Sequence, residues 1–368
     1  MNSDDVVKQF KRWFLPSLCV VLPLFFYFVV FHILVDSVQK AAPKLDAEHY
    51  VFLSEIECIA GKSTLPAATA KNQIDTKLAS PEPSAPDPGL AMKAQDISGR
   101  YAFAIASAFG RMIAMLGFAA ATFAVWRCSN GKPGSTAGMA ALIVALGTFV
   151  GLLLDLQPGT RASVLKSILP LGASVLQLGG QVAGWPGTGY AIITSAISWN
   201  LTLGAIGLIA TFFGFAAVAY VRSVKIADAV NLRERLMFLR IMLAAQMGIL
   251  ILTIITTKAS VDWATSLLCA PQRLALQPVG VALGNFWGAA AISVILTSFL
   301  PAYVAWQREV SACARAARPG SYAEQQKLVV EEGLDFAAAS SILFISSLAL
   351  PALTGPFIEV LKATVSAK

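Results

Sequence analysis

Three ionisable side chains lie within or at the end of long apolar runs: His32, Arg111 and Asp155. A charge at membrane depth is costly unless it is paired or faces water. Arg111 lies about ten residues into its run, which corresponds to roughly 15 Å along a helix. Asp155 ends the next run on the same side, so we expect a structural Arg111–Asp155 ion pair, a residue at the lipid headgroups, or charges that line an ion or solute path. His32 is more typical of a packed or interfacial residue than of a proton carrier.

A second polar group carries no charge. Ser174, Gln177 and Gln181 recur at spacings of three and four among apolar residues, which predicts an amphipathic helix. Interfacial helices usually have a strongly charged polar face, whereas hydroxyls and amides suit a water-facing cavity or a polar packing seam. We therefore consider three placements for residues 163–184: a re-entrant or pore-lining element, an interfacial helix, and a membrane span.

The sequence contains no motif for catalysis or metal binding. The stretch AGKST at 60–64 lacks the first glycine of a phosphate-binding loop, because that position is Ile56. The stretch GTG at 187–189 does not continue the glycine spacing of a dinucleotide-binding motif. The two histidines, His32 and His49, have no second ligand at helical spacing. We expect a protein that is not an enzyme and that holds no metal or cofactor.

The elements that position these residues are predicted to be membrane helices. Of the 368 residues, 56% are hydrophobic and 13% are charged, whereas soluble domains average about 45–50% apolar and about 25% charged residues. A helix needs about 20 mainly apolar residues to cross the bilayer. Seven runs satisfy this requirement and predict an all-α polytopic membrane protein. They cover residues 13–35, 101–126, 137–155, 190–221, 238–257, 283–306 and 337–357.

The distribution of Lys and Arg predicts a cytoplasmic N-terminus. In that orientation, fourteen of these residues fall in the short inside segments and six in the short outside segments, which agrees with the positive-inside rule. A complete crossing at 164–184 would invert every later loop and change the counts to nine inside and eleven outside. The charges therefore favour a segment at 163–184 that does not cross.

The chain divides into three predicted regions. Residues 1–35 form an N-terminal anchor helix, because their apolar run exceeds the 7–15 residues typical of a signal-peptide core. Residues 36–100 lie on the outer face and combine a short amphipathic helix with a proline-rich spacer. Residues 101–368 form a helical membrane domain, with a cytoplasmic helical hairpin at 222–240. In the last inside loop, Ser321 and Glu324 resemble a capping box, which predicts a short surface helix.

The five cysteines divide by compartment in this topology. Cys58 and Cys269 both lie outside, where an oxidising environment permits a disulfide between them; two free, buried thiols are the alternative. Cys128 and Cys313 face the reducing cytoplasm, and Cys19 lies within the first span.

Small residues at four-residue spacing predict close helix packing or oligomerisation, because they let helix backbones approach in lipid. They are Gly280, Gly284 and Gly288 near the sixth run, and Gly147 and Gly151 in the third.

These observations predict an oligomeric pore or channel-like protein of a bacterial inner membrane that passes ions or small solutes. Ser174, Gln177 and Gln181 would line the path, while Arg111 and Asp155 would set or gate its charge. The expected partners are membrane lipid and further copies of the chain, and we consider protein partners at the outer segment or the cytoplasmic hairpin; we expect no nucleic acid. The alternative is a structural membrane subunit of a multi-protein envelope or secretion assembly.

Overall fold

The computed structural model describes residues 3–26, 88–128, 133–156, 188–220 and 229–335. These ranges contain helices and no β-strand, so the predicted all-α class is confirmed for the described part of the chain. The helices are α1 (Ser3–Phe25), α2 (Pro88–Cys128), α3 (Pro133–Leu156), α4 (Thr188–Ala219), α5 (Ala229–Ser266), α6 (Ala270–Ala317) and α7 (Tyr322–Glu331).

Four of these helices are long and apolar enough to cross a membrane: α2, α4, α5 and α6. The described apolar parts of α1 and α3, Phe14–Phe25 and Ala137–Val150, are shorter than a full span. The run at 337–357 lies outside the described residues. The described helices therefore identify an integral membrane protein, and the count of seven spans stays a prediction.

The long helices extend beyond the runs from which they were predicted. Helices α5 and α6 contain 38 and 48 residues, whereas a helix of about 20 residues crosses the hydrocarbon core. The stretch between the fifth and sixth predicted runs, 258–282, is almost entirely helical, because only 267–269 separate the two helices. The apolar requirement sets where a helix enters lipid, but a helix continues until a cap or breaker ends it.

Contacts along the helices show their relative directions. Helix α2 runs antiparallel to α5, because Asp96 contacts Trp263 at one end and Arg127 contacts Glu234 at the other. We call these two ends of the bundle the Trp263 end and the Arg127 end. Helix α6 is also antiparallel to α5, since Gln246 pairs with Ser298 and Arg235 with Glu309.

Helix α4 runs parallel to α2 and antiparallel to α3. Asn200 contacts Arg111, and Gly207 lies against Ala114 one level closer to the Arg127 end. Gly147 of α3 lies against Ile206, while Val150 lines a cavity with Asn200. The C-terminus of α3 and the N-terminus of α4 are therefore both at the Trp263 end. The segment at 163–184 joins these ends and itself lies outside the described residues, so its placement stays a prediction.

Ion pairs join the helices at the Arg127 end. Arg127 of α2 pairs with Glu234 of α5 at 2.6 Å, and Arg235 of α5 pairs with Glu309 of α6 at 2.5 Å. Arg235 also donates a hydrogen bond to the carbonyl of Val218 in the last turn of α4, where carbonyls lack partners within the helix. This end thus fixes α2, α4, α5 and α6 relative to one another.

Helix α7 confirms the predicted surface helix, since none of its residues is buried. The predicted capping box is wrong, because the Ser321 hydroxyl makes no cap hydrogen bond. The Ser321 carbonyl instead accepts bonds from the backbone N–H groups of Glu324 and Gln325, at 3.1 and 3.2 Å.

The C-terminus of α7 is anchored to α5. Gly333 has a φ of 63° and the Leu334 N–H donates to the Val329 carbonyl at 2.8 Å, which is a Schellman ending. Arg233 of α5 donates from Nε and Nη2 to the Glu332 carbonyl at 3.0 and 2.6 Å. These bonds hold α7 at the Arg127 end.

The described structure does not trace the predicted hairpin at 222–240 in full. Helix α4 ends at Ala219 and α5 begins at Ala229, and residues 221–228 lie outside the described ranges. The hairpin therefore stays a prediction.

Candidate solute-binding site

A hydrogen-bonded network between α2 and α4 orients Arg111. Its Nε donates to Asn200 Oδ1 at 2.8 Å, and Asn200 Nδ2 donates to Ser107 Oγ at 3.0 Å. Ser107 and Arg111 lie one turn apart on α2, so one amide of α4 reaches both side chains. Because the amide is held at both of its ends, the direction of the guanidinium is fixed.

A cavity of about 80 Å³ lies beside Arg111. Every described residue that lines it falls within one of the four candidate membrane spans. The cavity therefore lies within the part of the bundle that is suited to lipid. Its lining residues are Phe103, Gly110 and Arg111 from α2, Asn200, Leu201 and Gly204 from α4, Ile249, Leu252, Thr253, Thr256, Thr257 and Ser260 from α5, and Trp287 from α6.

Hydroxyl groups form one wall of this cavity along α5. Thr253, Thr256, Thr257 and Ser260 repeat at helical spacing on one face. Thr257 donates to the Thr253 carbonyl at 2.8 Å, and Ser260 donates to the Thr257 carbonyl at 2.6 Å. Since these hydrogens bond to the backbone, the hydroxyl oxygens remain able to accept hydrogen bonds from water. The wall is thus suited to a hydrated cavity.

A second cavity, of about 120 Å³, adjoins the first. Both are lined by Asn200, Leu201, Gly204, Ile249, Thr253 and Trp287. The remaining lining of the second cavity is apolar and comes from α1, α3, α4, α5 and α6. It consists of Pro23, Leu24, Val150, Ala205, Leu208, Ile209, Phe212, Leu250, Ile254, Ala290, Ala291 and Val294.

The two cavities together offer one charge, several hydroxyls and an apolar compartment. Arg111 is the only ionisable side chain among the described residues that line them. Within the described ranges, no group of three or more His, Cys, Asp or Glu is arranged to hold a metal ion. These residues place a guanidinium, an amide and several hydroxyls around one cavity, which suits polar groups and water.

The described residues include only some of the side chains that were predicted to line a path. Arg111 lines the cavity, as described. Asp155 lies in the last turn of α3, and its side chain is outside the described part, so its pairing with Arg111 stays a prediction. Ser174, Gln177 and Gln181 lie outside the described residues, and their role as path-lining residues also stays a prediction.

Among the predicted packing glycines, Gly147 makes the closest described approach. A Cβ added there would lie 2.6 Å from the Ile206 Cα, so α3 and α4 are in backbone contact at this level. Gly288 is buried in α6. Gly280 and Gly284 lie in α6 and Gly151 in α3, and their surroundings are outside the described part.

Cys269 follows α5 at the Trp263 end and is disulfide-bonded. Its partner lies outside the described side chains, as does Cys58, so the Cys58–Cys269 pairing stays a prediction. Neither Cys19 nor Cys313 is part of a disulfide.

Sequence reasoning missed Asn200 and the α5 hydroxyls as site residues. The hydroxyls carried a signal, because Thr253, Thr256, Thr257 and Ser260 repeat at helical spacing inside an apolar run. Asn200 is an isolated amide in the fourth run, and its contact with Arg111 joins residues 89 positions apart. No local pattern encodes such a pairing.

Comparisons with protein families, with curated proteins and with solved structures found no match for this chain.

Proposed function

We propose that this chain is a membrane pore or channel-like protein, assembled from several copies, that passes ions or small solutes through the cavity beside Arg111. The observation that carries the proposal is a polar cavity inside the candidate spans, lined by an arginine that Asn200 orients at 2.8 Å. Ionisable residues at membrane depth usually line paths for ions or solutes. The hydroxyl wall of α5 supplies groups that bind water along that path.

The cavity volumes support a small solute. A volume of about 80 Å³ exceeds the roughly 30 Å³ that one water occupies in the liquid. It is well below the roughly 300–1,000 Å³ of pockets for drug-sized ligands. An ion with part of its hydration shell, or a solute of a few heavy atoms, suits this space.

The adjoining apolar cavity would serve as the gate. Apolar constrictions can close an ion path by expelling water from it. Leu208, Phe212 and Ile254 line the second cavity, and Gly204 lies where the two cavities meet. Small movements of α4 against α5 would change the width at Gly204 and thereby wet or dry the apolar part.

We also propose that the Arg127 end faces the cytoplasm of a bacterial cell and the Trp263 end faces outward. The Arg127 end carries Arg127, Arg233 and Arg235, in agreement with the positive-inside rule. Cys269 at the Trp263 end is disulfide-bonded, and disulfides persist in oxidising compartments.

Helix α1 runs antiparallel to α6, because Cys19 lies beside Ala302 and Leu24 lines the second cavity with Val294. In this orientation the N-terminus of α1 is cytoplasmic.

Reconstitution tests the proposed function. The purified chain is placed in liposomes, and the conductance of planar bilayers fused with them is compared with that of protein-free bilayers. We expect conductance that depends on protein, and a reduced conductance when Gln177 and Gln181 are both replaced by Leu. No conductance would overturn the pore; unchanged conductance in the double variant would overturn the path-lining role of these two residues only.

A structural membrane subunit of a larger assembly is the second candidate. The specific observation in its favour is the rigid Arg127 end, where ion pairs join α2, α5 and α6 and where Arg233 anchors α7. Such a platform could hold a cytoplasmic partner protein. A chain that passes no solute alone, yet copurifies with a partner at fixed stoichiometry, would favour this candidate.

A further inference from the structure

We infer that the α5 wall of the cavity binds small uncharged molecules that donate hydrogen bonds, such as urea. The inference rests on the proposed function, because it names a solute class for the same path. Its basis is a row of three hydroxyl oxygens, those of Thr253, Thr257 and Ser260, which line the cavity. We call these three oxygens the acceptor row.

Hydrogen bonds within α5 determine what the acceptor row offers to a ligand. Thr253 donates to the Ile249 carbonyl at 2.8 Å. Thr257 donates to the Thr253 carbonyl at 2.8 Å, and Ser260 donates to the Thr257 carbonyl at 2.6 Å. A hydroxyl has one hydrogen and two lone pairs, so each of these oxygens is left to accept. Because the bonds are made to the backbone of α5 itself, they do not depend on how other side chains of the cavity are paired.

The acceptor row leads along the cavity to its junction with the second one. Thr253 and Ser260 are seven positions apart, which corresponds to about 10 Å of helix. Ser260 is nearest the Trp263 end, and Thr253 lines both cavities. Neighbouring positions are separated by roughly 4.5–6 Å along the axis. Two hydrogen bonds of about 2.9 Å, one from each amino group of urea, cover such a separation, so a donor molecule can pass from one oxygen to the next.

The surroundings of the acceptor row favour an uncharged ligand. Apart from the residues that both cavities share, the second cavity has an apolar lining. A charged group loses far more solvation free energy in apolar surroundings than an amide or a hydroxyl does. Three neutral oxygens therefore suit N–H and O–H donors better than a bare cation. The volume of about 80 Å³ limits the ligand to a few heavy atoms.

Urea entry into proteoliposomes that contain the full chain tests the inference. Light scattering after a step in external urea follows the recovery of vesicle volume. We expect recovery to be faster than in protein-free liposomes, while sucrose stays excluded. The triple variant Thr253→Val, Thr257→Val and Ser260→Ala removes the acceptor row at nearly constant shape. It should lower the protein-dependent urea permeability at least about tenfold, because hydrogen bonds to the solute are lost.

A matched control makes the same three changes elsewhere in the bundle: Thr122→Val, Thr297→Val and Ser293→Ala. These hydroxyls also donate to carbonyls of their own helices, at 2.8, 2.8 and 3.0 Å, but they line neither cavity. The control should keep the urea permeability of the wild type. If the acceptor-row variant does not fold, Thr257→Val alone should still lower the permeability, while Thr257→Ser, which keeps the oxygen, should retain it.

The outcomes separate this inference from the proposed function. Equal urea permeability in the acceptor-row variant and the matched control would overturn the inference, as would sucrose entry at the rate of urea. Conductance without protein-dependent urea entry would overturn the inference and leave the pore. Protein-dependent urea entry without conductance would support the inference and overturn the proposed ion path.

Discussion

Glycines on α4 differ in what a methyl group at each position would contact. At Gly207 a Cβ would lie 2.9 Å from the Cα and the carbonyl oxygen of Ala114 on α2. At Gly204, one turn earlier on the same helix, it would contact nothing within 4 Å. Close helix approach in lipid gains van der Waals contact, so Gly207 contributes to packing. Gly204 instead contributes the open space in which the two cavities meet.

Alanine at these two positions should affect stability differently. We expect Gly207→Ala to destabilise the chain by about 1–3 kcal/mol, because the α2 backbone cannot yield as a side chain would. We expect Gly204→Ala to be neutral or to stabilise by up to about 1 kcal/mol, since alanine has the higher helix propensity. Thermal unfolding in detergent measures both, and equal shifts in the two variants would contradict this account of α4.

At the scale of elements, the Arg127 end owes its rigidity to one largely buried and several more exposed ion pairs. The side chains of Arg235 and Glu309 are 9% and 16% exposed, whereas those of Arg127 and Glu234 are 49% and 32% exposed. Removing one member of a buried pair leaves an uncompensated charge, while exposed pairs contribute little. The α4–α5–α6 junction therefore depends mainly on Arg235.

Methionine in place of each arginine tests this difference. We expect Arg235→Met to cost about 3–5 kcal/mol, because the largely buried Glu309 carboxylate loses its counter-charge. We expect Arg127→Met to cost about 1 kcal/mol or less. Chemical unfolding of both variants measures the contrast, and the double variant Arg235→Met with Glu309→Leu should recover most of the loss. A double variant as unstable as Arg235→Met alone would show that the ion pair is not the cause.

The elements also show how far the sequence could predict this fold. Apolar runs predicted where helices would form, because a chain in lipid must bond its backbone internally. They did not predict where α5 ends or where α6 begins. No helix breaker separates Thr257 from Ser266, and Pro271 fits the first turn of α6. The run at 137–155 lies entirely within α3, and the run at 13–35 is described as helix up to Phe25.

The site was less predictable than the fold. Arg111 could be found because a charge in an apolar run is conspicuous. Its contact with Asn200 depends on α2 and α4 packing parallel, with Ala114 beside Gly207 one level away. That register follows from the shapes of two distant segments, which single-sequence patterns do not specify.

At the scale of the whole molecule, the proposed orientation rests on two chemically independent signals: basic residues at the Arg127 end and the disulfide-bonded Cys269 at the Trp263 end. The proposed topology places Arg273 outside and Tyr322 inside. Both side chains are exposed, so cysteines at these two positions report the compartments.

Labelling of introduced cysteines should separate the two sides. In a chain with Cys128 and Cys313 replaced by Ser, we expect Arg273→Cys to react with a membrane-impermeant maleimide on intact cells. We expect Tyr322→Cys to react only after permeabilisation. The reverse pattern would contradict the proposed orientation while leaving the bundle itself unchanged.

The central claim is that solute passes through the cavity beside Arg111, and Gly204 gives the most direct test of it. Leucine at Gly204 would fill the junction of the two cavities. Leucine at Gly138 of α3 would also enter open space, but Gly138 lines neither cavity. The measurement is conductance per reconstituted protein for the two variants and the wild type. The account predicts that Gly204→Leu lowers conductance at least about tenfold, because the added side chain occupies the space that joins the two cavities, while Gly138→Leu leaves it unchanged. Conductance equal to that of the wild type in a folded Gly204→Leu variant would contradict it.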